Sequence, residues 1–163
     1  MDWESWNFWL AFAIAIVSVF GLFWEIHSAR RDLRTNTLLN LDERMDNEPV
    51  RQWRQIAAKK LLDNTQPNPE LGKILDFFGT IAYMVESSAI SHDLVYNEFA
   101  WWIIRYWECS KEYVTLTRQT DPMSWKTLQK VTERLKTREM HEGYTDESYS
   151  PENLKNFLVD ETA

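Results

Sequence analysis

Histidine and cysteine are the side chains most able to bind a metal ion or act as a nucleophile, and this sequence has four of them. None of His27, His92 and His141 stands in a metal-binding spacing such as HExxH. Cys109 follows Glu108, and that negative neighbour is expected to raise the pKa of the thiol, away from a reactive thiolate. A single cysteine also excludes an internal disulfide and a CxxC site. These residues predict neither a metal ion nor a nucleophile.

Carboxylate pairs at helical spacing are the next candidates, because paired acids perform acid–base chemistry and bind di-metal centres. Glu139 and Glu142 form one pair, and Asp42, Glu43 and Asp46 form a second group. A di-metal site usually also needs an ExxH motif on another helix, which the sequence lacks. With only four glycines, neither phosphate-binding loop, GxGxxG or GxxxxGK, is present. We therefore predict no catalytic, cofactor-binding or metal-binding residue, and no enzyme.

Composition and charge narrow the class of protein further. The 163 residues are 44% hydrophobic and 26% charged, values typical of one folded domain. The formal net charge is -7, and an acidic chain is a poor match for a phosphate backbone. We therefore expect no nucleic-acid partner.

The first element along the chain is an uncharged, largely apolar run from Ser5 to Trp24. As a helix it would reach about 30 Å, the thickness of the hydrocarbon core of a bilayer. Tryptophans flank it on both sides, three near its start and Trp24 at its end, as in the aromatic belts of membrane proteins. The alternative, a buried core helix of a soluble protein, is rarely so long or so free of charge. We predict a transmembrane anchor over residues 1–24.

The charges on either side of the anchor predict its orientation. The chain begins with Asp2 and Glu4, whereas a cleavable signal peptide would begin with Lys or Arg. Arg30, Arg31 and Arg34 follow the run closely, and cationic flanks stay in the cytoplasm. We expect a single pass through the cell (inner) membrane, with the N-terminus outside and the C-terminal domain in the cytoplasm. The three arginines would then contact anionic lipid headgroups.

Small side chains repeat on one face of the anchor. Ala11, Ala15 and Ser18 are spaced by four and three residues, and small residues let helix backbones approach closely in lipid. Alanine and serine are also common fillers of any membrane span. The spacing favours this face for self-association, and hence a homo-oligomer.

After the anchor, apolar residues recur at three- and four-residue steps, the pattern of amphipathic helices. Residues 25–48 contain no helix breaker and predict a juxtamembrane stalk that continues the transmembrane helix. Residues 49–163 predict a cytosolic helical bundle of the all-α class, since short connections favour antiparallel neighbours. Its expected helices begin near Pro49, Pro69, His92, Pro122 and Pro151, with Asn68 and Ser91 as caps and a polar loop at 141–150.

The helix expected from His92 to Thr117 contains the run AWWIIRYW, residues 100–107, which is apolar on nearly every face. Such a helix is either the central helix of the bundle or leaves a patch that a partner covers. Aromatic residues with an arginine are typical of interface hot spots. We expect Trp101, Ile104 and Arg105 to contact a protein partner.

Two stretches carry a family resemblance, LLNLDERMDNEPVRQWRQIAAKKLL at 38–62 and ILDFFGTIAYMVESSAISHDLVYNEFAWWIIRYW at 74–107. With the apolar run before them, they resemble a family of small uncharacterised bacterial membrane-anchored helical proteins. The most specific part, Phe77 to Trp107, consists mostly of packing residues. The resemblance implies a single span followed by a cytosolic helical domain. Such families are similar to accessory proteins found near prophage or mobile elements, which suggests regulation or phage defence and identifies no catalytic residue.

Anchor, stalk and bundle together predict a single-pass membrane protein that acts by interaction. The cytosolic bundle would bind a protein partner, whose identity the sequence does not give, or would self-associate. The anchor would confine it to the membrane lipid and raise its effective concentration for that partner. The alternative is a membrane-active effector, for example in phage defence, that oligomerises in the bilayer.

Overall fold

The computed structural model describes residues 24–25, 37 and 39–163 of the chain. The chain divides into two units, Met1–Thr37 and Leu38–Ala163. In the first unit, Trp24, Glu25 and Thr37 are helical, and the first two are exposed. In the second unit, every element of regular structure among the described residues is a helix, which confirms the all-α class for this part of the chain.

The second unit begins with a helical stretch at residues 39–46, which is followed by helix α1, Glu48–Leu62. Leu41 and Met45 of the first stretch are buried in the same hydrophobic core as α1. The sequence assigned residues 25–48 to a stalk outside the bundle. The last part of that stretch instead supplies core side chains to the second unit.

Six further elements follow α1. They are α2 (Pro69–Glu86), α3 (His92–Cys109), α4 (Lys111–Thr117), α5 (Lys126–His141), a 3₁₀ turn (Asp146–Tyr149) and, as the last element, α6 (Pro151–Glu161). Side-chain oxygens of Asn68, Ser91 and Ser150 accept hydrogen bonds from backbone N–H groups at the starts of α2, α3 and α6. These three starts agree with the sequence because a capping side chain, followed by proline in α2 and α6, acts locally.

The single helix predicted from His92 to Thr117 is two helices, separated at Ser110. The buried Ser110 hydroxyl donates to the carbonyl of Trp107 at 3.0 Å. A serine hydroxyl that bonds a carbonyl of the preceding turn competes with the helical ladder and bends or ends the helix. The helix is therefore interrupted at Ser110, although neither glycine nor proline stands at that position.

Helix α3 is the central helix of the second unit, and α2, α5 and α6 pack around it. Its ring at Tyr106 lies 5.9 Å from that of Phe78 on α2 and 5.2 Å from that of Phe157 on α6, centre to centre. The buried residues of α3 come from more than one face: Val95, Phe99, Ala100, Ile103, Ile104, Arg105, Tyr106 and Trp107. Both features expected for this helix occur: α3 is covered on several faces, and its Trp101 remains exposed.

None of the described helices is both long enough and apolar enough to cross a membrane. The predicted anchor, residues 1–24, lies outside the described residues except for Trp24. The anchor thus stays a prediction from the sequence.

We expect Asn68→Ala to lower the free energy of unfolding by about 2 kcal/mol. Asn68 is buried; its Oδ1 accepts from the N–H of Leu71 at 3.2 Å and its Nδ2 donates to the carbonyl of Ala57 at 3.1 Å. Alanine leaves both backbone groups without that partner. Urea unfolding of the full-length chain measures the loss. Asn97→Ala, on the exposed side of α3, is the matched control, and an equal loss in both variants would contradict the assignment.

Candidate interaction site

A cleft of about 290 Å³ opens where α3 meets the last part of the chain. Helix α3 supplies Trp101 and Arg105, the segment after α5 supplies Tyr144, and α6 supplies polar side chains along one wall. We call it the Trp101 cleft. The lining residues that matter below are Trp101, Arg105, Tyr144, Asn153, Asn156 and Asp160.

Trp101 is 46% exposed, although it belongs to the central helix. Arg105 follows it by one helical turn, and its guanidinium carbon lies 3.2 Å from the centre of the indole ring. Nη1 of Arg105 also donates a hydrogen bond to the carbonyl of Trp101 at 3.1 Å. This cation–π stack holds the exposed ring in one orientation. A ring that is already ordered loses less conformational entropy when a partner binds it.

Arg105 is buried, and its charge is compensated within the protein. Its Nη1 lies 3.7 Å from Oε1 of Glu139, which is also buried. The hydroxyl of Tyr149 donates to Oε2 of Glu139 at 2.5 Å. Burial lowers the pKa of Arg105, and the negative charge of Glu139 counteracts part of that shift. Burial and the hydrogen bond to Glu139 raise the pKa of Tyr149, so its hydroxyl stays protonated as a donor.

A second charged group extends this cluster. Nζ of Lys136 lies 4.2 Å from the centre of the Tyr149 ring and 3.1 Å from Oε1 of Glu108. Lys111 pairs with the same carboxylate at 2.5 Å. Burial alone would raise the pKa of Glu108, but hydrogen bonds from Lys111 and Lys136 outweigh it and lower the pKa. Lys111 and Lys136 thus both contact a carboxylate of opposite charge.

Glu161 holds the wall of the cleft that α6 forms. Arg54 of α1 donates to its carboxylate twice, from Nε to Oε2 and from Nη2 to Oε1, both at 2.6 Å. The hydroxyl of Tyr106 donates to Oε2 at 2.7 Å, and Nε1 of Trp102 donates to Oε1 at 3.1 Å. A bidentate arginine pair is among the strongest hydrogen-bonded contacts in proteins. Helix α6 is thereby tied to α1 and α3 near its C-terminal end.

The three predicted contact residues do not share one surface. Trp101 and Arg105 line the cleft, and their contact with a partner stays a prediction. Ile104 is fully buried in the core, so it presents no surface to a partner and the prediction is corrected there. The run around Ile104 is apolar on nearly every face, so its spacing did not indicate which of these side chains the other helices cover.

The other predicted site residues lie outside the described residues. They are Ala11, Ala15 and Ser18 for self-association and Arg30, Arg31 and Arg34 for lipid headgroups. Both assignments stay predictions.

His, Cys, Asp and Glu side chains are dispersed in the part of the chain that the structure describes. Within it, no group of three or more His, Cys, Asp or Glu side chains is placed to hold a metal ion. Burial, followed by the charge of Glu108, raises the pKa of Cys109 to about 12. The direction is the one expected from the acidic neighbour, although burial is the larger cause. The thiol is therefore protonated near neutral pH and is a weak nucleophile.

Sequence reasoning missed the wall of the cleft that the end of the chain supplies. Tyr144 falls in the predicted polar loop, and the helix predicted to begin near Pro151 was assigned no site residue. The spacing of Asn153, Asn156 and Asp160 was the available signal, since residues three and four apart share one helix face. Those polar side chains flank Phe157, which is buried against the core.

The structure is thus all-helical in its described residues, with a surface cleft lined by the aromatic side chains of Trp101 and Tyr144. The chain belongs to the DUF4760 family, a domain of unknown function, whose family model matches residues 9–135. No curated protein and no solved structure matches it. The match confirms the resemblance to an uncharacterised family. It ends within α5, before Tyr144 and α6 complete the cleft.

Proposed function

We propose that this chain is a single-pass membrane-anchored protein whose helical domain binds a protein partner through the Trp101 cleft. The observation that carries the proposal is the exposed indole of Trp101, which Arg105 holds from 3.2 Å at the edge of the cleft. Ordered aromatic residues next to an arginine are typical of the few side chains that dominate binding energy at protein interfaces.

The polar residues at the rim of the cleft support the proposal that its ligand is a protein. Tyr144, Asn153, Asn156 and Asp160 are exposed, so hydrogen-bonding groups surround the indole. A polar rim around an aromatic centre is the usual composition of a protein interface. A protruding side chain of a partner would fill the cleft while the rim contacts its backbone.

The apolar run from Ser5 to Trp24 supports the membrane part of the proposal. An anchor in the inner membrane, with Arg30, Arg31 and Arg34 at its cytoplasmic side, would hold the helical domain close to the bilayer. Confinement to the membrane raises the effective concentration of the helical domain for a partner in the same membrane. An interface of modest affinity is then enough for binding. The resemblance to membrane-anchored bacterial proteins agrees with this placement, and regulation is the role such a mechanism suits.

A photo-crosslinking amino acid at position 156 tests the proposal in the full-length chain in native membranes. Asn156 is exposed on the rim, so the change should leave the fold intact. We expect a discrete protein adduct that is lost in the Trp101→Ala background. Tyr83→Ala is the matched control, because Tyr83 is 68% exposed and lines a different cavity, and it should leave the adduct unchanged.

Two outcomes of this experiment would contradict the proposal. One is the absence of any adduct at position 156, and the other is an adduct that survives Trp101→Ala. An adduct of twice the mass of the chain, lost with Trp101, would identify the partner as a second copy. Near-ultraviolet circular dichroism of each variant verifies that the aromatic core is still packed.

A further inference from the structure

The last part of the chain, which supplies one side of the Trp101 cleft, carries a net negative charge. Residues 142–163 carry six acidic side chains against one basic side chain, Lys155. Two of the six, Glu142 and Glu161, are held in ion pairs. The other four are exposed and have no ion-pair partner within 4.0 Å among the described residues: Asp146, Glu147, Glu152 and Asp160.

Asp160 places this negative charge in the cleft itself. It lines the cleft together with the amides of Asn153 and Asn156, and its side chain is exposed. It also lies in the last turn of α6, where the helix dipole contributes partial negative charge. Both effects favour a cation at this end of the cleft.

The positive charge of Arg105 does not reverse this preference. Its side chain is only 5% exposed, and its guanidinium lies between the indole of Trp101 and the carboxylate of Glu139. Because Glu139 is equally buried, the pair is close to neutral for a ligand in the cleft. Asp160 has no such internal partner among the described residues, so its charge is the one that a ligand meets.

The aromatic sides of the cleft suit the stem of a long cationic side chain. Trp101 is 46% exposed and Tyr144 is 41% exposed, and both line the cleft. Lysine and arginine pack their methylene stems along such surfaces while the charged end stays close to water. The outer side of an aromatic ring also attracts the cationic end directly.

We propose that the Trp101 cleft binds an arginine or lysine side chain of the protein partner. The cationic end lies at Asp160, and the stem packs against Trp101 and Tyr144. The inference rests on the proposed function, because it names the chemistry of the partner at the same site.

Fluorescence anisotropy of labelled peptides on the full-length chain in neutral detergent tests the charge preference. The probes are a nonapeptide with two arginines among glycine and serine residues, its counterpart with citrulline at both places, and one with glutamate. We expect the arginine peptide to bind most tightly. Asp160→Asn should weaken it about threefold and leave the citrulline peptide unchanged, as for a partly exposed ion pair. The matched control Glu112→Gln, an exposed carboxylate on α4, should change neither.

Three results would overturn the inference. They are equal binding of the arginine and citrulline peptides, tightest binding of the glutamate peptide, and an affinity for the arginine peptide that Asp160→Asn does not change. If the arginine peptide does not bind at all, the inference is overturned as well. The crosslink at position 156 is expected to depend on Trp101 and not on charge. Its presence or absence therefore tests the proposed function separately from this inference.

Discussion

Glu161→Ala is expected to lower the free energy of unfolding by about 3 to 5 kcal/mol, because it leaves a buried guanidinium without its carboxylate. The side chains of Arg54 and Glu161 are 13% and 8% exposed. The hydroxyl of Tyr106 and the indole N–H of Trp102 lose the same acceptor. Burial alone would lower the pKa of Arg54, but the hydrogen bond and charge of Glu161 raise it overall. The carboxylate thus stabilises the charged arginine.

Urea unfolding of the full-length chain, followed by near-ultraviolet circular dichroism, measures this loss. Glu152→Ala on the same helix is the matched control, because that side chain is exposed, and its unfolding midpoint should not move. Glu161→Gln keeps an acceptor for Tyr106 and Trp102 and should lie between the two. If Glu161→Ala lowers the free energy of unfolding by no more than Glu152→Ala does, the contact between Glu161 and Arg54 does not stabilise the packing of α6.

Arg105→Met is the second large effect, with an expected loss of about 3 kcal/mol, because it removes one partner of a buried charge pair. Glu139 is 4% exposed and would keep only the hydrogen bond from Tyr149. Arg105→Met combined with Glu139→Leu should recover most of the loss, since two apolar side chains of similar volume leave no buried charge. The double variant is the more informative one, because it separates the loss of a pair from the loss of packing.

The same urea measurement applies to these variants. Arg138→Met is the control, because Arg138 pairs with Asp93 and Glu142 at the surface, and exposed pairs contribute little to stability. A double variant as unstable as Arg105→Met alone would show that Glu139 does not depend on the arginine. An equal loss of stability in Arg138→Met would show that the size of the loss does not depend on whether the ion pair is buried.

The starts of three helices could be predicted because the signals are local. Asn68 with Pro69 begins α2, Ser91 begins α3, and Ser150 with Pro151 begins α6, each through a hydrogen bond within the first turn. The apolar residues of α2 recur at three- and four-residue spacing, which likewise predicts a helix. These features depend on residues a few positions apart, so no knowledge of the tertiary structure is needed.

The cleft could not be predicted because its contacts join distant parts of the chain. Arg54 and Glu161 are 107 residues apart, and nothing near either residue indicates the other. Trp101 and Arg105 could be singled out by residue type, but Ile104 could not be placed, because several faces of α3 are covered. Trp125 shows another limit: it precedes α5 with φ of 53°, a left-handed conformation that bulky residues rarely adopt.

The final helix lies beyond residues 9–135, which the family model matches, yet it covers Tyr106 and completes the cleft. Relatives alike through residue 135 and divergent afterwards would keep a common scaffold and display different binding surfaces. In such relatives, residues after 135 would determine which ligand binds, while the remaining helices would keep the packing of the core. Under the proposed function, we expect that grafting residues 136–163 from one such member onto another would exchange the choice of partner.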